Sequence, residues 1–180
     1  LSSMARGLMF FDSGELALVG SQLGLGHPPG QPLYTLILGV FARLPGCDPL
    51  AAMNALSAIS VALCALPTHQ LMMRAVDLAP GLRFGILLAV GALAPIWEQA
   101  TRIELYGPAA LLSLTLLAYG ARLCDRQERA PFAWFLAGLL SGLIAGLNPI
   151  FAVAVAAGVG LAALPMLIGT GFKNTVYVIL

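Results

Sequence analysis

Long apolar stretches alternate with short polar breaks along the chain, and the charges gather in or beside the breaks. Crossing a bilayer takes about 20 mostly apolar residues in a helix, because the hydrocarbon offers no water to satisfy backbone polar groups. Five stretches qualify by composition, 50–73, 82–97, 106–123, 132–147 and 149–168, some of them short. The pattern predicts an all-α fold, a polytopic transmembrane helical bundle that makes one domain of residues 1–180. A first residue that is Leu1 and an apolar end over Val176 to Leu180 give the chain the look of an excerpt. No basic segment leads into an apolar run with a small-residue cleavage site, so targeting is expected from the spans themselves.

Composition strengthens the membrane reading. Hydrophobic residues make up 59% of the chain and charged ones 9%, against roughly 25% charged in soluble domains. The 9 Lys and Arg against 8 Asp and Glu leave a net charge of +1, which supplies no field for nucleic acid. Position matters more than the sum. Arg74 and Arg83 bracket one break, Arg122, Arg126 and Arg129 crowd another, and Lys173 follows the last stretch. Each group lies two stretches from the next, so the positive-inside rule places all three at the cytoplasmic face. The breaks around Asp48, Trp97 to Glu104 and Asn148 then face outward. The apolar run 32–44 is too short to cross and reads as interfacial or re-entrant. Residues 6–49 are therefore expected to form an extracytoplasmic loop with two interfacial helices. Gly138, Gly142 and Gly146 form a ladder of small residues expected to let another helix approach closely. Cys47, Cys64 and Cys124 show no metal or disulfide spacing.

Three polar constellations stand out on the outward side. In Asp12-Ser13-Gly14-Glu15 the spacing fits a capping box at a helix start, each carboxylate accepting a backbone N–H. The same placement fixes a carboxylate at a positive helix end, as a general base requires. In His27-Pro28-Pro29-Gly30-Gln31-Pro32 the prolines stiffen the backbone around His27. A helix-breaking linker with an incidental His is the plainer account. The third is the polar island Trp97 to Tyr106, where an aromatic belt with a surface ion pair competes with a ligand site. There Arg102 suits a phosphate, and Glu104 suits a hydroxyl or the orientation of Arg102. No P-loop and no H-E-x-x-H is present.

Phe11 to Leu16, Leu23 to Tyr34, Asn54 to Ala58 and the island Gln99 to Tyr106 together resemble a known family. It is a bacterial family of membrane proteins of unassigned function, grouped with eukaryotic protein O-mannosyltransferases in the GT-C superfamily. The resemblance runs from about Phe11 to Asn148. It implies a GT-C-like bundle and a glycosyltransferase that moves a sugar, mannose among the candidates, from a polyprenyl-phosphate donor to a hydroxyl of a protein or glycan acceptor. It implies Asp12 as the base, Glu15 as its helper, and His27, Arg102, Glu104 and Tyr106 at the donor phosphate or sugar. It also implies a multi-pass protein, in the bacterial inner membrane, with an extracytoplasmic site. The partners are then the lipid bilayer, the lipid-linked sugar and the acceptor, with no nucleic acid. Asp12 and Glu15 could ligate Mg²⁺ or Mn²⁺ as readily as act unaided, so no cofactor is assigned. Where relatives often read Asn-His-Pro, this chain has Leu147-Asn148-Pro149.

Two other readings stay open. Pro95, Pro108 and Pro149 near helix ends fit a transporter or lipid flippase with broken helices around a substrate. The glycine ladder alone fits a non-catalytic membrane scaffold.

Overall fold

A computed structural model describes residues 12–26, 31–126 and 130–167, with side chains up to residue 164. These residues form helices without strands: α1 (Ser13–Gln22), α2 (Pro32–Ala42), α3 (Pro49–Leu63), α4 (Ala65–Ala75), α5 (Pro80–Gly91), α6 (Ala94–Thr101), α7 (Tyr106–Asp125), α8 (Pro131–Leu147) and α9 (Pro149–Leu167). Pro32, Pro49, Pro80, Pro131 and Pro149 each open a helix, where the missing N–H costs nothing and the fixed φ suits the first turn. The Asp48 side chain caps α3 by accepting from the Ala51 N–H at 2.9 Å. Asn148 caps α9, its Oδ1 accepting from Ile150 N–H at 3.0 Å and Phe151 N–H at 3.4 Å.

The helix Pro49–Ala75, 27 residues long and made of α3 and α4, and the 20-residue α7 are long and apolar enough to cross a membrane. The expected span 82–97 is not one straight helix. It divides into α5 and α6 at Ala92 and Leu93, with a bend of 68°. Pro95 explains the break, since it has no N–H for the Gly91 carbonyl and its ring clashes with a continuing turn. Counted as one broken span, the pair is a third candidate. α2, α8 and α9, the last taken to Leu164, are apolar but shorter, so among the described residues two or three helices meet the length. α5 buries none of its residues, and Leu82, Phe84 and Leu88 lie exposed on it, as do Phe132 and Phe135 on α8. Apolar surface on that scale is compatible with membrane association.

Contacts fix how the helices run. Gly107 meets the Ser57 carbonyl, Arg122 meets Gln70, and Arg74 meets Asp125. Residue numbers rise together along both partners, so the long α3–α4 helix and α7 are parallel. α8 returns antiparallel, with the Tyr119 hydroxyl donating to the Ala133 carbonyl at 3.2 Å. α9 again follows α7, with Tyr106 by Phe151 and Gly120 by Val159. One end of the bundle thus gathers Ser13, Leu33, Glu104, Tyr106 and Asn148, and the other Arg74, Arg83, Arg122 and Asp125. These are the two sets of residues that the charge count separates.

The core has two parts. Leu16, Ala17, Tyr34, Leu38, Met53, Ile103, Leu105, Ala109 and Leu147 pack at the first end. Leu116, Leu123, Ala137, Ile144, Ala152, Val155 and Val159 join α7, α8 and α9. The glycine ladder is corrected by the packing. Among the described residues a Cβ on Gly138 or Gly142 would meet nothing within 4 Å, and of the three only Gly146 lies against a neighbour, Leu33. Close approach is made at Gly20, where a Cβ would lie 2.6 Å from Leu38 Cβ, at Gly39 against Leu23, and at Gly120 against Val159. Cys124 lies in the last turn of α7, and the cysteines are free.

Candidate active site

The Asp12 segment and the polar island, some 90 residues apart in the sequence, meet through backbone carbonyls. Ser13, buried at the start of α1, donates its hydroxyl to the carbonyl of Ile103 at 3.0 Å. Ser57, buried on α3, bridges the next residue: its hydroxyl donates to the Glu104 carbonyl and accepts from the Glu104 N–H, both at 3.2 Å. Two serines from separate helices therefore clamp the loop between α6 and α7. Gly107 lets α7 begin against α3, since a Cβ there would lie 3.3 Å from the Ser57 carbonyl oxygen.

This clamp sets the acidic pair. Asp12 stands exposed at the start of α1, directly before Ser13. Glu104 is 5% exposed, and the negative charge of Asp12 reaches it. Burial pushes the Glu104 carboxyl above its ordinary value, the Arg102 cation pulls it back, and Asp12 adds to the rise. Arg102 bridges two carboxylates, Nε at 3.4 Å from Glu104 and Nη2 at 3.7 Å from Glu98. The surface ion pair expected of the island is therefore half inside, because Glu104 is buried and Glu98 is exposed.

The capping box is not formed as expected. Asp12 occupies the N-cap position, but its side chain makes no capping hydrogen bond and its backbone is already helical. Its carboxylate is not held by its own helix start. Glu15, one turn on, lies with Oε1 3.7 Å from where a Gly26 Cβ would be. A Cβ at 26 would touch that carboxylate at ordinary contact distance. His27, the next residue, lies outside the described residues, as do Pro28 to Gly30. Tyr106 stands apart on the α7 start, half exposed, its ring 6.4 Å from that of Phe151.

Ser13, Tyr34 and Ser57 join the candidate site although nothing in the sequence alone singles them out, and all three fall inside stretches that carry the resemblance. Their signal was a polar group within an otherwise apolar helix, which must find a partner or a purpose when buried. Tyr34 is fully buried on α2, and its hydroxyl has no hydrogen-bond partner of good geometry among the described residues. Burial pushes its phenol up, against a smaller opposing pull from Ser57, and the Glu104 charge adds to the rise. Among the described residues no three His, Cys, Asp or Glu side chains converge as metal ligands do.

The arrangement is an exposed carboxylate over a buried one, with a guanidinium between acidic partners. It can take a proton, accept from hydroxyls and present positive charge within one small region. Residues 12–164 match the family described as the protein O-mannosyl-transferase TMEM260 N-terminal domain, and the chain belongs to that family. Neither a curated protein nor a solved structure matches the chain.

Proposed function

We propose that the chain is the membrane domain of a GT-C type glycosyltransferase of O-mannosyltransferase kind. It takes a sugar, mannose by kinship, from a polyprenyl-phosphate donor and passes it to a hydroxyl of a protein or glycan at the extracytoplasmic face. The carrying observation is the convergence of Asp12 with Glu104 and Arg102, brought together by the hydrogen bond between Ser13 and Ile103. Family membership supports the transferase class. The multi-pass bundle, from the first-loop helices to the spans ending near 168, is part of the same proposal.

The chemistry needs few groups. The acceptor oxygen attacks the sugar C1 and its proton passes to Asp12. The C1–O bond breaks, and its electron pair leaves on the lipid phosphate, which departs as an anion without a general acid. Arg102 turns toward that phosphate, a charge-assisted contact that strengthens as the bond breaks. Glu104 holds Arg102 and accepts from a sugar or acceptor hydroxyl. Glu15 assists Asp12, His27 is proposed from the resemblance alone to serve the donor, and Tyr106 serves the sugar from the α7 start.

The test is sugar transfer from a polyprenyl-phosphate donor by the purified complete protein and its Asp12→Asn variant. A general base contributes about 10²–10⁴-fold, so the variant is expected to fall by that factor with its thermal unfolding unchanged. Full activity in the variant removes Asp12 as the base.

A further inference from the structure

At the end of the bundle away from the candidate active site, α3 and α4 meet α7 around a groove of about 340 Å³. Its walls include Leu63, Leu66, Pro67 and Leu111, and at its rim stand Gln70 and Arg122. Leu63 and Leu66 are 41% and 62% exposed, so the groove opens sideways, along the outer surface of the two longest helices. Arg122 donates from Nη2 to Gln70 Oε1 at 3.1 Å. The neighbouring Asp125 is taken by Arg74 at 2.9 Å. Among the described residues no carboxylate pairs with Arg122.

We propose that this groove holds one anionic phospholipid, an acyl chain against the leucines and its phosphate on Arg122. Two observations fix the occupant. The walls are apolar over the length of two helical turns, and a free phosphate has no use for them. The cation sits three residues before the end of α7, about 5 Å from it at 1.5 Å per residue, which is the depth of lipid headgroups when a 20-residue helix crosses a bilayer. Basic pockets between helices at such an end select acidic headgroups. Gln70 orients the guanidinium without neutralising it, so its remaining N–H groups stay available for a phosphate. The inference rests on the membrane reading of the long helices and is independent of glycosyl transfer at the other end.

The experiment is native mass spectrometry of the complete protein in detergent, with phosphatidylglycerol and phosphatidylcholine of identical acyl chains. One basic side chain at an anionic lipid surface is worth roughly fivefold in affinity. The protein is expected to retain one phosphatidylglycerol at about that preference over phosphatidylcholine. Arg122→Gln should abolish the preference, and Arg122→Lys should keep it, which separates charge from folding. Thr115→Phe, which fills the groove from α7, should lower retention of both lipids. Equal retention of the two lipids, or a preference that survives Arg122→Gln, overturns the proposal. Displacement of the lipid by inorganic phosphate also overturns it, by showing a plain anion site. Membrane sedimentation with release only by detergent checks the membrane reading separately, and a chain found in the aqueous fraction overturns both.

Discussion

The Ser13 hydroxyl and the Ile103 carbonyl, separated by 90 residues of sequence, are joined by a 3.0 Å hydrogen bond in the interior. It positions the first turn of α1 on the loop that carries Arg102 and Glu104. Ser13→Ala strands a buried carbonyl and is expected to cost about 1–3 kcal/mol. Thermal unfolding in detergent reads the stability loss. Transfer activity should fall further than stability alone accounts for, because Asp12 is no longer held over Glu104. An unchanged rate would mean that this bond supports the fold only.

Glu104 supplies a pH signature. Its carboxyl is raised above the ordinary value of 4.5, first by burial. Through the window above 4.5 the folded state keeps a proton that the unfolded chain has lost, so stability falls as pH rises. The contribution is fully present below the ordinary carboxylate value and is gone once pH passes the raised one. Glu104→Gln cannot lose a proton, so its unfolding temperature should fall less than that of the unmodified protein between mildly acidic and neutral pH. Parallel curves for the two proteins would show that Glu104 is ionised throughout.

The contact of α1 with α2 is tight enough to forbid a methyl group. Gly20→Ala places a Cβ 2.6 Å from Leu38 Cβ, an overpacking expected to cost about 1–3 kcal/mol. Gly142→Ala meets nothing and gains about 0.5–1 kcal/mol of helix preference. Denaturation midpoints of the two variants should therefore move in opposite directions. Destabilisation by both would show that a partner covers the glycine ladder.

Asn148 has a structural task. Its side chain caps α9 with two acceptor contacts, and Asn148→Ala is expected to cost about 1 kcal/mol. Asn148→Asp or Asn148→Ser should retain most of that stability, as measured by thermal unfolding. If all three substitutions are equal, the cap is not what the residue provides.

Much of the architecture was legible because prolines and apolar runs act locally. Helices opening at Pro49, Pro80, Pro131 and Pro149 follow from a ring that fits only a first turn. The 68° bend between α5 and α6 was less visible. Pro95 marks it, but an apolar run reads the same whether straight or broken. The candidate site was legible in its charged members, since Asp12, Arg102 and Glu104 stand out in so apolar a chain. Ser13, Ser57 and Tyr34 did not stand out, because their significance is burial against residues distant in sequence. The glycine ladder misled for the same reason. Spacing tells which glycines share a face, and only the fold tells what stands opposite.

The bend at Pro95 also decides where the polar island arrives. The eight residues of α6 span about 12 Å at 1.5 Å per residue. Turned by 68°, they advance only about 4–5 Å along the direction of α5 and about 11 Å sideways, by the same helix rise. Glu98 to Arg102 are thereby delivered across the bundle to α3 and α1 instead of running on past them. Lateral delivery makes their position depend on one angle. A residue added to or removed from α5 would rotate that arm by about 100°, since a turn holds 3.6 residues, and would swing Arg102 away from Asp12 while leaving every helix intact.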